Sequence, residues 1–138
     1  MLQFKPTRGY AVFTSSILTF DSKKMGTTRV VELVKGIGKI GITKILLLGN
    51  NAITDQAIPA IVEHLILNPK ISLEKLDLGG NLLTNEGAQQ LISALKQRNT
   101  LHELFIKGNS GIEPQYLKEI AELMANNQKK SEASQELH

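Results

Sequence analysis

The chain has no cysteine and no tryptophan, and aromatic residues make up only 4% of its 138 residues. Without cysteine, neither a disulfide framework nor a thiolate metal site can form. Because aromatic residues are scarce, the core must be built from aliphatic side chains, mainly leucine and isoleucine. The lack of cysteine is typical of a reducing compartment, and we therefore predict a cytoplasmic protein.

The chain also lacks any apolar run close to the roughly 18 residues that a membrane-spanning helix needs. The segment Tyr10–Phe20 is moderately apolar and follows two basic residues, which raises the alternative of a signal peptide. Hydroxyl residues interrupt this segment, however, and no small-residue cleavage site follows it before Asp21. We therefore expect no membrane partner.

The middle of the chain lacks the excess of positive charge that a nucleic-acid-binding surface would need. The net charge is +3. Residues 1–40 carry seven basic residues and two acidic ones, whereas residues 41–109 carry six of each. A basic stripe would be expected along a nucleic-acid-binding domain. The neutral middle of the chain therefore argues against nucleic acid as a partner.

What the chain does have is a repeated pattern. Asn51, Asn81 and Asn109 lie 30 and 28 residues apart, each after alternating leucines or isoleucines. In the clearest copy Leu76 and Leu78 alternate with polar residues, which predicts a short strand with one buried face. Apolar residues then recur at helical spacing: Ala88, Leu91, Ile92 and Leu95. The pattern predicts strand, turn, helix and return loop in each copy.

The copies divide the chain into one predicted domain, 1–126. An N-terminal extension covers 1–14, a degenerate capping repeat covers 15–40, and three repeats cover 41–72, 73–100 and 101–126. Residues 127–138 are predicted to form a flexible polar tail. Because Asn51, Asn81 and Asn109 recur in register with the leucines, we predict that their side chains form a structural ladder, satisfying backbone groups inside the turns.

The stretch 73–100 resembles a leucine-rich repeat of the ribonuclease-inhibitor type, through its leucines, Asn81 and Gly87-Ala88. The resemblance implies an α/β fold, a short leucine-rich-repeat solenoid forming a right-handed horseshoe arc with parallel strands on the concave side and helices on the convex side. The same repeat type occurs in NOD-like receptors, tropomodulin-like actin regulators, Ran GTPase-activating protein and effectors of intracellular bacteria. For such an effector the expected location is the host cytosol.

In that fold the strand residues that do not face the core line the concave face. Their side chains form rows across neighbouring strands, and several are apolar, which is typical of contact surfaces. The alternative is that strand propensity alone selects them or that Leu2–Phe13 covers them. The predicted partner-binding residues are Ile45, Leu47, Lys75, Asp77, Glu103, Phe105 and Lys107.

Catalytic and cofactor motifs are absent or misplaced. Gly36, Gly38 and Gly41 match the dinucleotide fingerprint, but a helical stretch precedes them and a strand follows, the reverse of the required order. The three histidines show no metal-ligand spacing. We therefore predict no enzyme activity, no cofactor and no metal.

The function we predict is a non-catalytic protein–protein interaction module that binds a protein partner through the concave strand face. One alternative is a regulator of a partner enzyme such as a GTPase, for which Arg8, Arg29 and Arg98 are the candidate fingers. Another is a self-associating structural repeat fragment, pairing through the edge strand near Leu104.

Overall fold

The structure, a computed structural model, describes residues 16–98 and 100–136, and for 130–136 the backbone alone. The predicted N-terminal extension 1–14, with Arg8 and the covering segment Leu2–Phe13, lies outside the described residues. Four short strands form one parallel sheet in chain order: β1 (Ile17–Thr19), β2 (Ile45–Leu47), β3 (Lys75–Asp77) and β4 (Glu103–Phe105). The helices are α1 (Gly26–Ile40), α2 (Ile58–Ile61), α3 (Asn85–Gln97) and α4 (Pro114–Glu136).

The core lies between the sheet and the helices and is aliphatic. One leucine from each strand lies in register with its neighbours across the sheet: Leu18, Leu46, Leu76 and Leu104. These leucines are buried, as are the residues that α1 and α3 place at helical spacing. Burying one leucine contributes about 1.5–3 kcal/mol. The alternate strand positions, between the leucines, lie on the outward face of the sheet.

The first helix shows why the glycines of the dinucleotide-like motif are there. Gly36 and Gly38 lie inside α1, and Gly41 ends it in the left-handed conformation with φ of 80°. A Cβ on Gly38 would lie 2.8 Å from the carbonyl oxygen of His64, so the glycine permits close packing of the next unit. These glycines therefore serve helix packing and termination.

The second unit is the longest, since its asparagine lies 30 positions before the next one. A 3₁₀ turn at Asp55–Ala57 precedes α2, in which Pro59 lies in the first turn, where its missing N–H costs little. The segment Val62–Ile66 then widens to π-helical geometry, and the N–H of Leu67 donates to the carbonyl of Val62 at 2.8 Å. The wider turn accommodates the additional chain length.

The C-terminal segment differs from the expectation of a flexible tail at 127–138. Helix α4 continues through this boundary to Glu136, and Asn127 is buried. The amide groups of Asn127 and Gln128 donate to the backbone carbonyls of Leu101 and His102, just before β4, which the polar composition of the segment did not reveal. The predicted domain and repeat boundaries otherwise stay predictions.

The α/β class is confirmed, with a parallel sheet and helices on its buried face. Among the described helices, none is both long and apolar enough to cross a membrane.

Candidate functional site

The three asparagines lie inside the turns that follow the strands. Asn51, Asn81 and Asn109 are each at most 4% exposed. The carbonyl oxygen of the Asn81 side chain accepts hydrogen bonds from the N–H groups of Asn51 at 2.8 Å and Ile53 at 3.1 Å. Its amide nitrogen donates to the carbonyl of Leu48 at 3.1 Å and to two carbonyls of its own turn. Asn81 therefore joins two consecutive units.

The other two asparagines repeat this arrangement. The Asn51 side-chain oxygen accepts from the N–H of Met25 at 3.2 Å, and that of Asn109 accepts from the N–H of Leu83 at 3.0 Å. Each asparagine thus bonds backward to the preceding unit. The first unit has Lys23 at the equivalent place, where its N–H donates to Asn51. These side chains hold the turns in place and are not available to a ligand.

The outward face of the sheet is formed by the strand residues whose side chains alternate with the buried leucines. The strand register pairs Ile17 with Ile45, Lys75 and Glu103 in one row, and Thr19 with Leu47, Asp77 and Phe105 in the next. This register agrees with the rows expected from aligning the sequence copies. The sheet therefore brings six of the seven predicted partner-binding residues onto one surface, and Lys107 follows at the end of β4.

Large apolar side chains are exposed at both ends of the outward face. Ile17 is 55% exposed in β1 and Phe105 is 47% exposed in β4. Ile45 and Leu47 lie between them and are half-buried. Such apolar surface, bordered by charged side chains, is typical of a contact site.

The charged side chains of the outward face interact with one another. The Lys75 ammonium lies 3.7 Å from the Glu103 carboxylate and 5.0 Å from the centre of the Phe105 ring. Such exposed pairs contribute little to stability, about 0–1 kcal/mol. Their effect is to hold Phe105 beside a cation and an anion. The carboxylate of Asp77 accepts the N–H of Gly79 at 2.8 Å, which orients it along the same face.

The edge of the sheet beside β4 is partly closed by α4. The amide of Gln128 donates to the carbonyl of His102 at 2.9 Å, and that of Asn127 to the carbonyl of Leu101 at 2.9 Å. The helical spacing of Ile120, Met124 and Asn127 indicates that the helix continues this far, but it does not indicate the bonds to these carbonyls.

The described residues contain no group of three or more His, Asp or Glu side chains that could hold a metal ion. His64 lies 3.6 Å from Glu63 on the helical side, away from the outward face. Of the candidate arginine fingers, Arg98 donates to the carbonyls of Ile66 and Asn68 and so stabilises a return loop. Arg29 is exposed on α1.

Solved structures resemble this fold. Actin-binding site 2 of leiomodin-1 matches with a TM-score of 0.72 at 18% sequence identity, over 94% of this chain and 90% of that chain. The C-terminal domain of tropomodulin from Caenorhabditis elegans matches with a TM-score of 0.62 at 14% identity, over 96% of each chain. No protein-family model matches the chain, and no curated protein matches its sequence. At these identities the likeness shows the fold alone.

The identification as a leucine-rich repeat solenoid of the ribonuclease-inhibitor type was therefore wrong, because the matching structures are leiomodin and tropomodulin domains. The repeated leucine and asparagine spacing indicates that alternate strand positions are buried and that each turn contains a buried amide. Those physical requirements apply to any fold that stacks strand–turn–helix units. The pattern could therefore predict the layers of the fold but could not identify the family.

Proposed function

We propose that this protein is a non-catalytic binding module for actin and that it contacts actin through the outward face of its sheet. The observation that carries the proposal is the likeness of its fold, across 94% of the chain, to actin-binding site 2 of leiomodin-1. A protein partner of this kind also agrees with the chemistry of the exposed strand residues. Because actin is a cytoskeletal protein, the proposal includes a cytoplasmic location.

The outward face supports the proposal through its mixture of apolar and charged groups. Aromatic residues surrounded by polar side chains are the usual anchors of protein interfaces. Phe105 fits this role because nearly half of its surface is exposed and Lys75 and Glu103 lie beside it. Ile45 and Leu47 extend the apolar surface across the two central strands, and Asp77 and Lys107 add one charge of each sign.

The test is co-sedimentation with filamentous actin, together with the polymerisation rate of pyrene-labelled actin. We expect the wild-type chain to sediment with filaments or to change the polymerisation rate. Phe105→Ala should weaken binding about 10-fold or more, the loss of roughly 1.4 kcal/mol that truncation of an interface anchor causes. Far-ultraviolet circular dichroism verifies that the variant stays folded.

Ile42→Ala is the matched control, because Ile42 is also an exposed apolar residue, at 42%, but lies in the loop before β2 and not on the outward face. Equal weakening by both substitutions would contradict the assigned face. A wild-type chain that neither sediments with filaments nor changes polymerisation would contradict actin as the partner.

The alternative of a GTPase regulator is not supported by these observations. The names of the leiomodin-1 and tropomodulin structures do not indicate such a function, and the Arg98 side chain donates hydrogen bonds to backbone carbonyls. A GTPase turnover assay with and without the chain would give equal rates under the actin-binding proposal.

A further inference from the structure

In β1, β2 and β3, backbone N–H groups just after the strand donate hydrogen bonds to carbonyls of the next strand. After β3, the N–H of Leu78 donates to the carbonyl of Phe105 at 2.7 Å, and the N–H of Gly80 donates to the carbonyl of Lys107 at 2.9 Å. The same bonds join β1 to β2 and β2 to β3. Each strand therefore presents two N–H groups beyond its end to the next strand of the sheet.

In the last strand the corresponding residues are Ile106 and Gly108. Within residues 16–98 and 100–136 the sheet ends at β4, so no fifth strand accepts these two N–H groups. Exposed N–H and C=O groups along a sheet edge form a template for another extended chain. The end of β4 is such a template.

The start of β4 is different, because α4 occupies the place of the next strand. In the preceding unit the carbonyl of Glu74 accepts the N–H groups of His102 and Glu103. The equivalent carbonyl, that of His102, accepts the side-chain amide of Gln128 instead. The open part of the edge is therefore short. A second copy that continued the whole sheet would meet α4, whereas a short peptide would not.

A groove runs along the open part of this edge. Its volume is about 390 Å³, and α4 forms one wall with Leu117, Ile120 and Ala121. Leu104, Ile106 and Lys107 line the groove from the strand side, and the outward-face residues Asp77 and Phe105 also line it. An extended peptide points alternate side chains to opposite sides. One set would contact the apolar wall of α4 while the backbone bonded to the strand edge.

We propose that this groove, the β4 edge groove, binds a short extended peptide segment of a protein partner that has apolar residues at alternate positions. The peptide adds to the sheet through its backbone, and the wall of α4 selects its side chains. This site adjoins the outward face at Asp77 and Phe105, but the peptide bonds to the strand edge, and the proposal does not depend on actin being the partner of the outward face.

The test titrates the ¹⁵N-labelled chain with the peptide acetyl-Thr-Ile-Thr-Val-Thr-Lys-amide, to millimolar concentration, while amide resonances are recorded. We expect the largest shifts at Ile106 and Gly108, and hydrogen exchange of these amides slowed about 10-fold at saturation. A peptide with the same side chains but N-methyl groups at alternate residues should not bind, because it cannot bond to the edge.

Two substitutions on α4 form a matched pair. Ala121 and Ala125 are both exposed and one turn apart, but only Ala121 lines the groove. Arginine is a good helix former at either position. Ala121→Arg should fill the groove and weaken peptide binding about 10-fold or more, whereas Ala125→Arg should leave it unchanged. Peptide binding is measured without actin, so a failure of this proposal is distinguishable from a failure of the preceding one.

Four results would overturn the proposal. The first is no shift with the peptide, and the second is shifts centred on the outward residues Ile45 and Leu47. The third is edge amides that are already protected in the chain alone and become exposed when residues 1–14 are deleted, which would assign the groove to the chain's own N-terminal segment. The fourth is protection that rises with protein concentration, which would assign it to a second copy.

Discussion

The two faces of the sheet are built from the same strands but follow different rules. On the buried face each strand contributes a leucine at the same place, Leu18 in β1 through Leu104 in β4, and each inter-unit turn uses an asparagine. On the outward face the equivalent residues vary: one row holds Thr19, Leu47, Asp77 and Phe105, and the other changes from isoleucine in β1 and β2 to Lys75 and Glu103. Repetition therefore marks what the fold requires, and variation marks the positions left free for contact.

The largest expected effect is on the buried side, at Asn81. Asn81→Ala removes the acceptor for the N–H groups of Asn51 and Ile53 and the donor to Leu48. Each unsatisfied buried group costs about 1–3 kcal/mol, so the free energy of unfolding should fall by about 3 kcal/mol or more. Urea denaturation followed by circular dichroism measures the loss.

The loss of stability at Asn81 is compared with that of a substitution on the outward face of the sheet. Asp77→Ala removes one hydrogen bond, to the N–H of Gly79, from a half-buried carboxylate. The expected cost is about 1 kcal/mol. If Asp77→Ala lowered the free energy of unfolding as much as Asn81→Ala, the assignment of the two faces would be contradicted.

The second-largest effect is expected where α4 closes the sheet edge. Asn127→Ala leaves the carbonyl of Leu101 without its amide donor in a buried position, at a cost of about 1–2 kcal/mol. Asn126 is exposed on the same helix and is the matched control, with an expected change below about 0.5 kcal/mol. Thermal unfolding of both variants measures the difference, and equal melting temperatures would mean that α4 does not cap the edge.

A smaller, stabilising effect is expected at Ala52, which lies in the turn after Asn51. Its φ of 55° is a left-handed conformation that costs a residue with a Cβ about 1 kcal/mol. Ala52→Gly should therefore raise the free energy of unfolding by a few tenths of a kcal/mol, after the larger entropy of glycine in the unfolded chain is subtracted. A lower melting temperature would show that the alanine side chain contributes contacts to the turn.

Only a small effect on stability is expected at Phe105, the residue with the largest expected effect on binding. Because its ring is 47% exposed on the outward face, Phe105→Ala should change the free energy of unfolding by about 1 kcal/mol or less. A loss comparable to that of Asn81→Ala would place the ring in the core. Urea denaturation of Phe105→Ala beside Asn81→Ala makes this comparison directly.

Much of the fold could be predicted because its signals are local. Alternation at Leu76 and Leu78 and helical spacing from Ala88 indicated the elements, and the spacing of the asparagines indicated which strands are neighbours. The role of α4 could not be predicted in the same way. Asn127 and Gln128 are polar residues in a polar stretch, and their importance comes from carbonyl groups 26 residues earlier in the chain.

The candidate site also has features that the sequence predicted and features that it did not. The strand pattern predicted which residues share the outward face, since neighbouring parallel strands place equivalent positions side by side. It did not predict that Lys75 lies over the ring of Phe105, because that contact depends on side-chain conformation across two strands. The groove beside β4 was also not predicted, since it is formed by a strand edge and a helix that meet only in the folded chain.

The sequence by itself determined the layers of this protein, because burying leucine at every second strand position and an amide in every turn leaves few other arrangements. The tertiary structure decided how the sheet ends and which exposed groups come together. Those outcomes depend on contacts between distant residues, and no local periodicity encodes them. The pattern could not identify the family, because any fold that stacks strand–turn–helix units buries the same strand positions and turn amides.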